Sequence, residues 1–131
     1  MTVMVTAITS GIKISVETFF QPRQSDGEEL IFTFVYRIHI QNNTDATVQL
    51  VRRYWHITDS DGKKSEVEGD GVVGEQPVLG AGQSYTYHSG CQLNSEIGRM
   101  KGTYLMQRLS DGKKFKVNIP EFFMIAPFKM N

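Results

Sequence analysis

A chain of 131 residues and 14.8 kDa, with 40% hydrophobic and 11% aromatic residues, has the material for one folded core, which excludes a disordered chain. Fourteen basic residues balance fourteen acidic ones, so no long-range field recruits nucleic acid or an acidic membrane surface. The single cysteine, Cys91, closes no internal disulfide and points to a reducing compartment.

The stretch from Met1 to Gly11 has no basic segment ahead of its apolar residues and is broken by threonines, which makes it a poor signal peptide and places the protein in the cytoplasm. From Gly11 onward Ile12, Ile14 and Val16 alternate with Lys13, Ser15 and Glu17, the period of a strand with one buried face. Pro22 ends that ladder, and Gln21 to Glu29 reads as a loop with an Asp26-Gly27 turn. Leu30 to Gln41 begins apolar on both faces and then alternates, which predicts a strand covered on both sides at one end. Asn42-Asn43-Thr44-Asp45 is the next turn. Thr47 to Asp59, with Val48, Leu50, Val51, Tyr54, Trp55 and Ile57, has the β-branched and aromatic content of a central strand. Ser60-Asp61-Gly62-Lys63-Lys64 and its repeat at Ser110 to Lys114 predict two exposed hairpins.

Most of the twelve glycines then fall between Gly69 and Gly102, which marks a long connection whose shape is set by turns. Ser84 to Gln92 and Arg99 to Leu109 are strands, with Met100, Tyr104 and Met106 on one face. Phe115, Val117 and Ile119 mark the last clear strand, which Pro120 interrupts, and the apolar tail Phe122 to Phe128 either resumes as an edge strand or docks on the core. That tail is far shorter than the roughly 20 residues of a membrane-spanning helix, so no membrane insertion is expected. The whole chain, 1–131, reads as one all-β domain, an antiparallel β-sandwich of the immunoglobulin or fibronectin type III kind.

Two segments carry the candidate site. Gly69, Asp70, Gly71, Val72, Val73 and Gly74 match the dinucleotide fingerprint G-x-G-x-x-G, followed by Glu75, Gln76 and Pro77. The fingerprint holds a pyrophosphate only where it opens a helix, and here no helical run follows. Glu68, Asp70 and Glu75 would also repel phosphate unless Mg²⁺ or arginine offset them. The plainer reading is a tight irregular connection between strands, presented as a ligand or partner loop. The second segment is Arg52, Arg53, Tyr54, Trp55 and His56. Alternation sets Arg53 and Trp55 on one face and Arg52, Tyr54 and His56 on the other. Trp55 is expected to fill the core under an arginine stem, while exposed arginine and tyrosine suit a partner hot spot.

Metal and catalytic signals are sparse. His88 and Cys91 point to opposite faces of a strand, and no further ligand completes a zinc site. Asp59, Asp61, Glu66, Glu68 and Asp70 cluster around the first hairpin and could form a weak Mg²⁺ or Co²⁺ surface, but hairpin carboxylates usually diverge into solvent. The expectation is therefore no metal site and no cofactor beyond weak Co²⁺ or Mg²⁺ binding. No nucleophile signature accompanies any serine, so the chain is not read as an enzyme.

Arg53 to Asp59, Gly69 to Leu79, Tyr87 to Leu93 and Gly98 to Met106, in that order, resemble the ApaG family over almost the whole chain, ending with Val117 to Phe122. Two loop positions depart from the family pattern: Ala81 stands where proline is usual, and Ser95-Glu96 replaces a common Thr-Pro. The resemblance implies a fibronectin type III-like sandwich and the family's label of a bacterial Co²⁺/Mg²⁺ efflux-associated protein found near a diadenosine tetraphosphatase. Related domains in F-box proteins and in a polymerase delta-interacting protein look like protein-interaction modules. The expectation is a non-enzymatic binding or adaptor domain for a protein partner. The alternative is a module for a Mg²⁺-nucleotide of the diadenosine polyphosphate kind or for a divalent cation. The apolar tail and the sheet edges leave a homodimer open.

Overall fold

The computed structural model of the chain describes residues 4–127. Phe128 and the first three residues, which entered the readings of the tail and of the N-terminus, lie outside that range. Among the described residues nine strands follow one another: β1 (Met4–Thr9), β2 (Ile12–Phe20), β3 (Phe32–Asn42), β4 (Val48–Asp59), β5 (Lys64–Asp70), β6 (Val78–Leu79), β7 (Ser84–Leu93), β8 (Ile97–Arg108) and β9 (Lys114–Ile125). They form two antiparallel sheets, β1-β2-β3-β7 and β5-β4-β8-β9, with β6 also paired to β4. This is the expected two-layer sandwich. Among the described residues no helix is long and apolar enough to cross a membrane.

Both inner faces are apolar. Ile12, Ile14 and Val16 of β2 and Phe32, Phe34, Ile38 and Ile40 of β3 meet Leu50, Trp55, Met100, Tyr104, Met106 and Val117 from the other sheet. Trp55 is 2% exposed and lies edge-on to Tyr36 and Phe122 at 5.6 and 5.9 Å, so the tryptophan is the core residue that its strand position suggested.

Two bulges explain where simple alternation fails. In β4 the register with β8 slips at Val51, so Leu50 and Trp55, five apart, both face inward. In β9 two residues, Pro120 and Glu121, oppose Lys101 alone, and the buried set passes from Val117 and Ile119 to Phe122 and Met124. Pro120 therefore does not interrupt the strand as expected. It sits in a bulge, where the missing amide costs no ladder bond, and the apolar tail runs on as part of β9.

One strand goes beyond those expected, and two further expectations need correction. A strand, β1, precedes Gly11 and joins β2 through Ser10 and Gly11, both at positive φ as a two-residue hairpin requires. Leu30 is 53% exposed in a turn, so β3 starts at Phe32 and alternates cleanly instead of being covered on both sides. The glycine-rich connection is shorter than read: Gly69 and Asp70 belong to β5 and Val78 to β6, leaving residues 71–77 between them. Because β5 and β6 flank the same edge of β4, that connection is an excursion from one edge strand.

Candidate functional site

The excursion is built from its own hydrogen bonds. Gly71 N–H donates to Val51 O at 2.8 Å, and Val72 and Glu75 exchange both main-chain bonds at 2.8 and 2.9 Å, closing a two-residue turn at Val73-Gly74. Pro77 O accepts from Leu50 N–H, and the Gln76 side chain donates to Val51 O. Gly71 is required by contact as well as by its φ of 61°: a Cβ there would lie 2.0 Å from Glu75 O. Val72 is wholly buried and anchors the turn, while Val73 is 62% exposed at φ 48°. No helix follows Gly74, so the reading of an irregular inter-strand connection holds, and the amides of Gly71, Val72 and Glu75 are already bonded within the protein.

Arg53 ties this turn to the sheet. Its guanidinium Nη1 donates to Asp70 O and Gly71 O, both at 3.0 Å, and it crosses Gly69, where a Cβ would come within 3.1 Å of both terminal nitrogens. The residue expected in a partner hot spot thus first holds the loop backbone.

The outer face of β4 and β5 is a cross-strand ladder. Asp70, Glu68 and Glu66 stand opposite Arg52, Tyr54 and His56. Arg52 Nη1 meets Asp70 Oδ1 at 2.8 Å, Tyr54 Oη donates to Glu66 Oε2 at 2.9 Å, and His56 Nδ1 lies 3.5 Å from Glu66. The bond to Glu66 holds the Tyr54 proton and raises its pKa. The Tyr54 and His56 rings meet edge to face at 4.8 Å. Of the acidic residues proposed as a weak cation surface, Glu66, Glu68 and Asp70 are therefore aligned by β5, Glu68 and Asp70 beside the Arg52 guanidinium and Glu66 beside the Tyr54 hydroxyl and the His56 ring, while Asp61 is exposed in the hairpin turn. Asp59 leaves the cluster altogether: it is buried, and its Oδ1 accepts from the amides of Asp61 and Lys63 inside the hairpin turn. Among the described residues no group of three or more His, Cys, Asp or Glu is placed to hold a metal ion.

Beside the ladder runs a shallow groove of about 460 Å³ lined by Arg52, Arg53, Tyr54, Glu68, Thr103, Leu105 and Lys116. Its β4 half, Arg52, Arg53 and Tyr54, is the segment singled out in the sequence, whereas Thr103, Leu105 and Lys116 join it only in the fold. The signal was present, since in β8 and β9 these residues alternate with the core residues Tyr104, Met106 and Val117. His88 is exposed and Cys91 half-buried on β7, on opposite faces as expected, and burial pushes the Cys91 thiol up to about 11.

A family model described as the ApaG domain matches residues 22–108. Curated relatives include Protein ApaG of Brucella canis, 48% identical over 124 residues and 95% of each chain, and Protein ApaG of Brucella anthropi, 49% identical over the same span and shares. A solved structure of an ApaA protein from Bordetella pertussis superposes with a TM-score of 0.85 at 39% identity, covering 88% of this chain and 94% of that one.

Proposed function

The chain belongs to the ApaG family, and we propose that it is a non-enzymatic adaptor domain of the cytoplasm that recognises a protein partner. The contact surface is the groove along Arg52, Tyr54, Thr103 and Leu105 together with the projecting turn Val73-Gly74. The observation that carries this reading is Val73: a β-branched residue held at φ 48° and 62% exposed is disfavoured both sterically and by solvation, and such strain persists where a surface is used. Along the groove on β4, Arg52 and Tyr54 are of the residue types that dominate protein hot spots. The link to Co²⁺ and Mg²⁺ homeostasis belongs to the family label and would act through the partner.

The test is affinity capture by the wild-type protein and by Tyr54→Ala, with the captured species compared. Loss of the same partner in the variant supports the surface; an unchanged set rejects it. The alternative, a Mg²⁺-nucleotide or divalent-cation module, finds less support in a loop that opens no helix and whose Gly71, Val72 and Glu75 amides are bonded internally, although Arg52 offsets the Asp70 carboxylate. Calorimetry with diadenosine tetraphosphate, ATP, Co²⁺ and Mg²⁺ separates the readings: a saturable micromolar site would favour the alternative.

A further inference from the structure

The two sheets end in edges that differ in one respect. In β5 the bonds Gly71 N–H to Val51 O and Asp59 N–H to Lys63 O fall on the same register as the β4 pairing, so odd-numbered residues of β5 bond β4 and even-numbered ones turn their main chain to the open side. Those even residues are Lys64, Glu66, Glu68 and Asp70, all charged. Charge at every outward position blocks strand addition.

The same reasoning applied to β7 gives the opposite result. Asn42 N–H donates to Gln83 O on the register that pairs β3 with β7, so Tyr85, Tyr87, Ser89, Cys91 and Leu93 bond β3. The outward main chain belongs to Ser84, Thr86, His88, Gly90 and Gln92, all exposed, with no proline, no bulge and no permanently charged side chain. Arg37, directly across from His88 on β3, is already paired with Glu17. The remaining edges, β1 and β9, pack against each other, with Asn118 N–H donating to Thr9 Oγ1.

We propose that β7 is the self-association edge of this protein, pairing antiparallel with β7 of a second copy about a two-fold axis at His88. That register sets Thr86 against Gly90, Ser84 against Gln92 and His88 against its own copy, so no like charges oppose each other, and about ten main-chain hydrogen bonds form, a number typical of a specific interface. A formal net charge of zero removes the long-range repulsion that two copies would otherwise feel. Tyr85 and Cys91, only partly buried in one chain, gain cover from the second. The inference is independent of the partner surface on β4, which stays open in the dimer.

Sedimentation equilibrium across a dilution series, with native mass spectrometry, tests the assembly. The wild type is expected to be a dimer that dissociates on dilution. His88→Glu and His88→Lys place like charges directly opposite and are each expected to be monomeric with unchanged circular dichroism; mixed in equal amounts, they are expected to regain a heterodimer. Amide exchange gives a variant-free readout: Thr86, His88 and Gly90 gain protection as concentration rises, and Glu66 and Glu68 do not. A wild type monomeric at every concentration, a dimer that survives both substitutions, or a mixture that stays monomeric would each overturn the proposal.

Discussion

Val73 is the residue at which conformational preference and the observed structure conflict most. Two-residue turns with positive φ at both centres favour Asn-Gly, and here the pair is Val-Gly at 48° and 78°. Val73→Asn is therefore expected to stabilise the fold by about 1 kcal/mol, since the strain of a β-branched residue in that region is of this order, while weakening capture of the partner. A thermal melt alongside the capture assay checks both halves; a variant that loses stability and keeps its partner contradicts the assignment. Cys91 is a second residue-scale case. With its thiol pushed up to about 11 by burial, little thiolate exists at pH 8, and alkylation of the native protein is expected to run at least tenfold slower than that of the unfolded chain. Equal rates would show that the side chain is open to solvent.

The elements were legible wherever a strand alternates without a bulge. Ile12, Ile14 and Val16 announced β2, and both Ser-Asp-Gly-Lys-Lys sequences formed the hairpins they predicted. A bulge defeated the reading at Pro120-Glu121, because one added residue exchanges the buried and exposed sets and lets the strand run on past the proline. The clamp on the loop was hidden for another reason: that Arg53 reaches past Gly69 to two carbonyls depends on strand pairing, which no local pattern encodes. Asn42 shows the same limit. Its Asn-Asn-Thr-Asp context marks a turn residue, yet it is fully buried; its Nδ2 donates to Ala46 O, Leu79 O and Gly80 O, and its Oδ1 accepts from Thr44 N–H and Oγ1. One side chain thus joins the turn between β3 and β4 to the crossing from β6 to β7. Asn42→Ala is expected to cost about 3 kcal/mol, because it leaves buried carbonyls and an amide without partners; urea denaturation measures it, and a cost below about 0.5 kcal/mol would show that water replaces the amide.

Across the whole molecule, the core carries polar groups that set its response to alkali. Burial raises the pKa of Tyr36, Tyr87 and Tyr104, and the Tyr87 and Tyr104 hydroxyls bond each other inside the sandwich. A group whose pKa is higher folded than unfolded holds its proton more tightly when folded, so stability is intact below the unfolded values of 9.0 for the thiol and 10.0 for the phenols and declines above them. Urea midpoints are expected to be level between pH 7 and 9 and to fall by pH 10.5; a level profile through that range would mean that the hydroxyls are hydrated. The account of function rests on a surface that is formed before any partner arrives, in which three amides and one arginine fix the turn at residues 71–76. Backbone ¹⁵N relaxation of the free protein tests this most directly. The account predicts order parameters for Val72 to Glu75 close to the roughly 0.85 of rigid strands, falling in Arg53→Lys; values below about 0.6 in the wild type would show a loose loop and contradict it.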